Sequence, residues 1–210
     1  MFLKKSLFVM LLATFILAAA CGGAEKSHDA MAEPDPMSDA EPKTEPAAES
    51  FLLGGGTAVE VHPGSAGSPH TKVDWVVDGA SISITYGRPY LKDRVVGESV
   101  EPMRDRFWRV GADEATTLVT DRDLMLGSAH VPAGEYTLFT QWMNDDFNLI
   151  INSETGQWGL SYNPEHDVAH TAMEVSELDP PAEQLTLMIG DGSLGFEWGQ
   201  MKASAPLMVH

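Results

Sequence analysis

Six basic side chains lie close together between Gly87 and Glu114, and they are the first residues in this sequence that could do chemistry. They are Arg88, Lys92, Arg94, Arg104, Arg106 and Arg109, out of 13 Lys and Arg in the whole chain. The planar guanidinium group of arginine binds carboxylate, phosphate and sulfate groups through paired hydrogen bonds. In a chain with a formal charge of −18, this concentration of positive charge predicts a local site for a small anion or an acidic glycan.

Aromatic side chains are interleaved with these basic residues and could form the walls of such a site. Tyr86 and Tyr90 flank Arg88, and Trp108 directly precedes Arg109. Small-ligand sites combine apolar and aromatic walls with a few polar groups that orient the ligand. The predicted ligand-binding residues are Tyr86, Arg88, Tyr90, Lys92, Arg94, Trp108 and Arg109, together with His70, a candidate base.

Three hypotheses account for the basic loop, which we define as residues 87–114. The first is a binding module for a small anionic ligand or glycan. The second is a structural or protein-interaction module, in which the basic side chains pair with acids of the same loop. Those acids are Asp93, Glu98, Glu101, Asp105, Asp113 and Glu114. The third is a hydrolase, with His70 as the base and Arg88 or Arg109 stabilising an anion.

The sequence predicts no metal site and no cofactor, and it leaves catalytic residues unassigned. His166 and His170 are four residues apart, but the pattern around them is that of a strand, where such residues lie roughly 13 Å apart. The one cysteine of the chain, Cys21, is expected to carry lipid and is therefore not a candidate nucleophile. The chain also lacks the Gly-x-Ser-x-Gly motif that typically carries a hydrolase nucleophile.

The elements that must position the basic loop are predicted to be β-strands. Apolar and polar residues alternate from Val73 to Tyr86, interrupted by the typical hairpin turn Asp78-Gly79. Further strands are predicted at 116–120, 124–126, 135–142, 147–152, 168–175, 184–189, 194–198 and 201–207. Short, regularly spaced strands without a helical pattern predict an all-β domain over residues 68–210. An antiparallel β-sandwich and a barrel-like fold are both compatible with this pattern.

Residues 21–67, which precede this domain, are predicted to form a disordered acidic linker. Ala, Glu, Pro, Ser, Asp and Gly dominate the segment. Such a composition buries too little apolar surface to offset the loss of chain entropy on folding. The strongly negative charge of the chain also argues against a nucleic-acid partner, because phosphate binding needs an extended basic surface.

Residues 1–20 have the layout of a bacterial lipoprotein signal peptide. Lys4 and Lys5 precede an apolar run, and small residues lead to Cys21. A run of this length is too short to span a bilayer as a permanent helix. We expect cleavage before Cys21, acylation of its sulfur and anchoring in the cell envelope. Without Asp after the cysteine, we expect the outer membrane in a cell that has two membranes.

Several motifs of the domain resemble one bacterial family. Ile82 to Arg94 reads ISITYGRPYLKDR, Trp108 to Thr116 reads WRVGADEAT, and Val131 to Phe139 reads VPAGEYTLF. Ser68-Pro69-His70, Gln157 to Tyr162 and Trp198-Gly199 extend the match over residues 68–207. The resemblance is to the domain of unknown function 2911. It implies an exported, β-rich domain that often occurs in lipoproteins, and it implies no established activity.

Overall fold

A computed structural model describes residues 48–65 and 67–210. The predicted signal peptide, Cys21 and residues 22–47 of the predicted linker lie outside the described residues. The described part contains thirteen strands and one 3-10 helix, Pro164–His166. The strands are β1 (Ser50–Leu53), β2 (Gly56–His62), β3 (His70–Val77), β4 (Ala80–Gly87), β5 (Phe107–Trp108), β6 (Thr116–Thr120), β7 (Leu124–Leu126), β8 (Ala129–Val131), β9 (Gly134–Met143), β10 (Asp146–Asn152), β11 (Asp167–Ala172), β12 (Glu174–Gly190) and β13 (Ser193–Val209).

These strands form two antiparallel sheets. The larger sheet has the order β1-β2-β3-β4-β6-β9-β10-β11, and β5 pairs with β9 beside this path. The smaller sheet has the order β12-β13-β7-β8. The terminal strands of the larger sheet, β1 and β11, do not pair with each other, so this sheet remains open.

The β3–β4 hairpin shows how the alternating sequence produces this fold. Val73 pairs with Ile84, and Trp75 pairs with Ile82. All four side chains are buried, whereas the polar residues between them are more exposed. The turn residue Asp78 has a φ of 48°, as the first position of a two-residue hairpin turn requires. The apolar face is therefore continuous across both strands.

The two sheets pack face to face around a common hydrophobic core. Ile84 and Tyr86 of β4, Leu187 of β12 and Phe196 of β13 are buried in the same cluster. Trp108 of β5 packs edge-on against Phe196, with ring centroids 5.4 Å apart. The fold is therefore an open antiparallel β-sandwich, and the prediction of an all-β domain is confirmed.

The folded region begins before residue 68, the first residue of the predicted domain; the predicted linker was residues 21–67. The hairpin of β1 and β2 extends the larger sheet by pairing with β3. Ala58 of β2 is completely buried, and the Trp75 indole N–H donates to the Gly54 carbonyl at 2.9 Å. The sequence signal was weak because small residues provide this contact: they allow close approach but contribute little hydrophobicity.

The C-terminal strands also differ from the predicted pattern. The strand predicted at 168–175 is divided between β11, which ends at Ala172, and β12, which begins at Glu174. β12 continues through two prolines, and its pairing with β13 shifts register between Glu177 and Ala182. Irregular pairing of this kind interrupts the alternation of apolar residues, so periodicity alone did not show a single long strand.

Candidate functional site

The basic loop, residues 87–114, is held against the smaller sheet. The backbone N–H of Leu91 donates to the Glu183 carbonyl at 2.7 Å. In the opposite direction, the Leu185 N–H donates to the Pro89 carbonyl at 3.1 Å. Because β12 pairs with the first part of the loop, the basic side chains project from an ordered backbone.

A cavity of about 420 Å³ lies beside this loop. Residues of the loop provide most of its lining, and Ser68 and Trp198 complete it. Three basic residues and three aromatic residues are part of the lining: Lys92, Arg94, Arg109, Tyr90, Trp108 and Trp198. A cavity of this size and composition is typical of small-ligand sites.

The three basic side chains of the cavity form no ion pair with a carboxylate of the described residues. Among the described residues, Lys92, Arg94 and Arg109 have no carboxylate oxygen within 4.0 Å. Arg94 instead donates to the backbone carbonyls of Tyr90 and Leu91, which orients its guanidinium group. These cations therefore have hydrogen-bonding capacity left for an anion.

Pairing within the basic loop accounts for little of its charge. Across the part of the chain that the structure describes, one ion pair joins a base and an acid of the loop, Arg106 with Glu101 at 3.3 Å. Arg104 pairs with Asp145 outside the loop at 3.4 Å. The acids of the loop thus leave most of its bases unpaired.

Glu101 is the acidic residue in the lining of the cavity, and both its oxygens are engaged. Oε1 contacts Arg106, and Oε2 accepts a hydrogen bond from the Met103 N–H at 2.7 Å. Three basic residues therefore face one carboxylate that is already compensated. The lining carries a positive charge within a strongly acidic protein.

The side chain of Arg109 is partly buried beside the cavity. Its Nε atom is buried and has no hydrogen-bond partner among the described residues. Burial lowers the pKa of Arg109, while Asp113, Glu101 and Glu114 raise it. Arginine stays charged at neutral pH, so the protein keeps a partly desolvated cation beside the cavity. A bound anion would compensate its loss of hydration.

The two tryptophans of the lining are almost completely buried, and their indole N–H groups are satisfied within the protein. The Trp108 indole N–H donates to the Gly111 carbonyl at 3.2 Å. The Trp198 indole N–H donates to the Glu101 carbonyl at 2.9 Å. Tyr90 is 39% exposed and is the most accessible aromatic residue of the lining. These walls suit a ligand with an apolar or sugar-ring body.

Tyr86 and Arg88 were predicted to bind the ligand, but they do not line this cavity. Tyr86 is buried in the core, and its hydroxyl accepts a hydrogen bond from the Leu187 N–H at 3.0 Å. Arg88 donates to the Leu185 carbonyl at 3.2 Å and to the Thr186 hydroxyl at 3.3 Å. Tyr86 of β4 and Arg88, which directly follows β4, thus both bind to the backbone or side chains of β12, and these contacts are structural.

His70 is also outside the lining of the cavity; it belongs to a second polar cluster. Its side chain is 3% exposed. Nε2 lies 2.9 Å from Glu114 Oε2 and 3.6 Å from Asp113 Oδ2. Its ring stacks on that of His62, with centroids 4.2 Å apart. Burial lowers the pKa of His70, although Glu114 opposes this effect, so the neutral imidazole is favoured.

The sequence did not indicate His62, which lies in the segment assigned to the linker, and it did not place Asp113 and Glu114 next to His70. It also missed Trp198, which reaches the cavity from β13. The motif Ser68-Pro69-His70 was the one available signal for the second cluster. Nothing in the sequence placed His70 beside Asp113 and Glu114, which lie far from it along the chain.

No helix in the described part of the chain is long and apolar enough to cross a membrane.

A search of curated proteins finds no match, and a search of solved structures finds none either. The family model described as "Protein of unknown function (DUF2911)" matches residues 68–207. This match covers the basic loop and most of the sandwich, and it confirms the resemblance. The chain belongs to the DUF2911 family.

Proposed function

We propose that this protein binds a small organic anion or an acidic sugar in the cavity beside the basic loop. The observation that carries the proposal is the presence of Lys92, Arg94 and Arg109 around one cavity without carboxylate partners among the described residues. A charged group of the ligand would contact these cations. Its apolar or sugar-ring body would pack on Trp108 and Tyr90.

Charge supports an anion over a neutral ligand. A charge-assisted hydrogen bond is roughly twice as strong as a neutral one, and the partial burial of Arg109 strengthens its interaction with a bound anion. Because the rest of the protein is acidic and repels anions, the affinity for an anion depends on the basic groups that lie close to the cavity. We therefore expect binding to weaken as salt concentration rises, because salt screens the exposed cations.

The first experiment is a thermal-shift titration of the full chain at low salt. The probes are phosphate, sulfate, citrate, a glucuronate-containing oligosaccharide and a neutral oligosaccharide of equal length. A ligand that binds only the folded state stabilises it by about 2.7 kcal/mol at 100 times Kd. We expect a charged probe to raise the melting temperature and the neutral sugar to leave it unchanged.

Variants then test whether the cavity is responsible. Arg94→Ala and Arg109→Ala should each weaken binding of the active probe by about tenfold or more, since each removes a charge-assisted contact. Arg122→Ala removes an exposed arginine outside the cavity and is the matched control. Equal weakening in Arg122→Ala, or no response to any charged probe, would reject the proposal.

We also propose that the domain is anchored in the cell envelope through acylated Cys21, with the outer membrane as its location in a cell with two membranes. The support is the arrangement of Lys4, Lys5, the apolar run and Cys21 in the sequence. Metabolic labelling with an alkyne fatty acid should mark the wild-type protein and leave Cys21→Ser unlabelled. Equal labelling of both proteins would contradict lipid attachment at this residue.

A further inference from the structure

Three side chains that could bind a cation meet at one edge of the sandwich, outside the lining of the anion cavity. They are His62 at the end of β2, His70 at the start of β3, and Glu114 just before β6. One potential ligand atom of each lies within 4.8 Å of those of the other two. Three different segments of the chain thus bring two imidazoles and a carboxylate together.

The state of His70 is an independent indication of a ligand. Its Nε2 atom is buried and makes no hydrogen bond with proper geometry among the described residues, although Glu114 Oε2 is only 2.9 Å away. A buried polar nitrogen without a partner costs free energy. The nitrogen points into the cluster, where a bound cation would accept its lone pair.

We propose that His62, His70 and Glu114 bind one divalent transition-metal ion of the zinc type. Two neutral imidazoles and one carboxylate are a donor set that zinc uses in proteins. Calcium and magnesium prefer sites built from oxygen ligands, so the two histidines select against them. Three protein ligands leave one tetrahedral position open for water or another small ligand.

Asp113 supports the geometry of this site. Its Oδ2 atom accepts a hydrogen bond from the Ser65 N–H at 2.8 Å and lies 3.6 Å from His70 Nε2. This contact links the segment after His62 to the segment that carries Glu114. Asp113 is therefore a positioning residue, and Glu114 is the carboxylate ligand.

The ligand atoms must move closer together, and the His62 ring must turn, to bind the metal. Tetrahedral ligands about 2.0–2.1 Å from zinc lie roughly 3.3 Å apart. In this structure the potential ligand atoms lie within 4.8 Å of one another. His62 and Glu114 are exposed and can rotate. His62 Nδ1 accepts a hydrogen bond from the Gly64 N–H at 3.1 Å, and ligation through this nitrogen replaces that exposed contact. The stacked His62 ring must also tilt towards the cation.

The cluster uses residues different from those proposed to bind the anion, so the two proposals can fail separately. The test is a calorimetric titration of the full chain with ZnCl₂ after treatment with EDTA and removal of the chelator. Co²⁺ is titrated in parallel, because its visible absorption reports the coordination geometry. We expect zinc binding that depends on this cluster and a tetrahedral cobalt spectrum.

His62→Ala and Glu114→Gln are the decisive variants, since both side chains are exposed and neither forms part of the core. Removing a side chain that binds the metal should lower zinc affinity by about 100-fold or more. Even mutation of residues that only hydrogen-bond to metal-binding side chains costs about 10–100-fold. His130→Ala is the matched control: it removes another exposed histidine that contacts a carboxylate, Asp123 at 3.0 Å. Circular dichroism confirms that each variant is folded.

The control should bind zinc as the wild-type protein does, and both cluster variants should lose the tetrahedral cobalt spectrum. His70→Ala is expected to lose binding as well, but burial of this residue makes the exposed variants the ones that decide. Absence of zinc binding by the wild-type protein would overturn the proposal. Unchanged affinity in folded His62→Ala and Glu114→Gln would overturn it equally.

Discussion

The hydroxyl of Tyr86 accepts a hydrogen bond from the backbone N–H of Leu187 at 3.0 Å, and this bond joins the two sheets inside the core. Burial raises the pKa of Tyr86, whereas its contacts with Leu187 and Arg88 lower it. The phenol is therefore neutral across the physiological range. Its polar atom satisfies a buried backbone donor of β12, so the residue has a structural role.

Tyr86→Phe should lower the free energy of unfolding by about 1–3 kcal/mol, because it leaves the Leu187 N–H without an acceptor. Urea unfolding of the full chain measures this change. Tyr90→Phe is the control: Tyr90 is partly exposed, and its hydroxyl makes no hydrogen bond among the described residues. A loss as large in Tyr90→Phe would contradict the role of the Tyr86–Leu187 bond.

Arg88→Ala should reduce stability and leave anion affinity nearly unchanged. The side chain donates to the Leu185 carbonyl and the Thr186 hydroxyl, and hydrogen bonds from charged groups contribute about 1.5–3 kcal/mol each. Some of this loss is recovered where water can reach these part-buried acceptors. Urea unfolding and the probe titration are run on the same sample. Weakened binding at unchanged stability would place Arg88 in the anion site instead.

Gly159→Ala should both destabilise the fold and weaken anion binding. A Cβ atom at this position would overlap the Cδ atom of Arg109 and lie 2.7 Å from the Asp113 carbonyl. Overpacking of this kind costs about 1–3 kcal/mol, and it displaces a cation of the cavity. In Gly190→Ala the new methyl group meets no atom within 4 Å, so this control should change stability by less than about 0.5 kcal/mol.

Two exposed carboxylates should contribute to the acid sensitivity of the fold. The Ser81 N–H donates to Asp121 at 2.7 Å, and the Ala133 N–H donates to Asp123 at 2.9 Å. These hydrogen bonds lower the pKa of both groups below 3.8. Because the folded-state pKa is depressed, the stabilisation is present above pH 3.8 and is lost as pH falls through the folded-state value.

Urea unfolding at a series of pH values below 5 tests this expectation. Asp121→Asn and Asp123→Asn should each make the free energy of unfolding less dependent on pH. Asp78→Asn is the control, since it removes an exposed carboxylate from a turn where asparagine tolerates the positive φ of 48°. A change of slope in the control as large as in the other two variants would argue against these two hydrogen bonds as the cause.

The sandwich was largely readable from the sequence because strand periodicity is a local property. Val73 and Trp75 alternate with polar residues, and Asp78 marks the turn that returns the chain through Ile82 and Ile84. The β1–β2 hairpin was not readable in this way. Its burial depends on small residues such as Ala58, whose contribution comes from close approach to β3.

The basic loop was also evident from the sequence, but the direction of each side chain was not. Lys92, Arg94 and Arg109 line the cavity, whereas Arg88 turns towards β12. A loop has no regular period that assigns side chains to faces. Packing against β12 decided which arginines face the cavity and which stabilise the fold.

The all-β class, the net negative charge and the local concentration of basic and aromatic residues follow from the amino-acid sequence. Folding is needed to bring Trp198 into the lining of the cavity and to bring His62, His70 and Glu114 together. Composition and periodicity report interactions between near neighbours in sequence. Trp198 and Glu114 reach these sites only through the pairing and packing of strands that lie far apart along the chain.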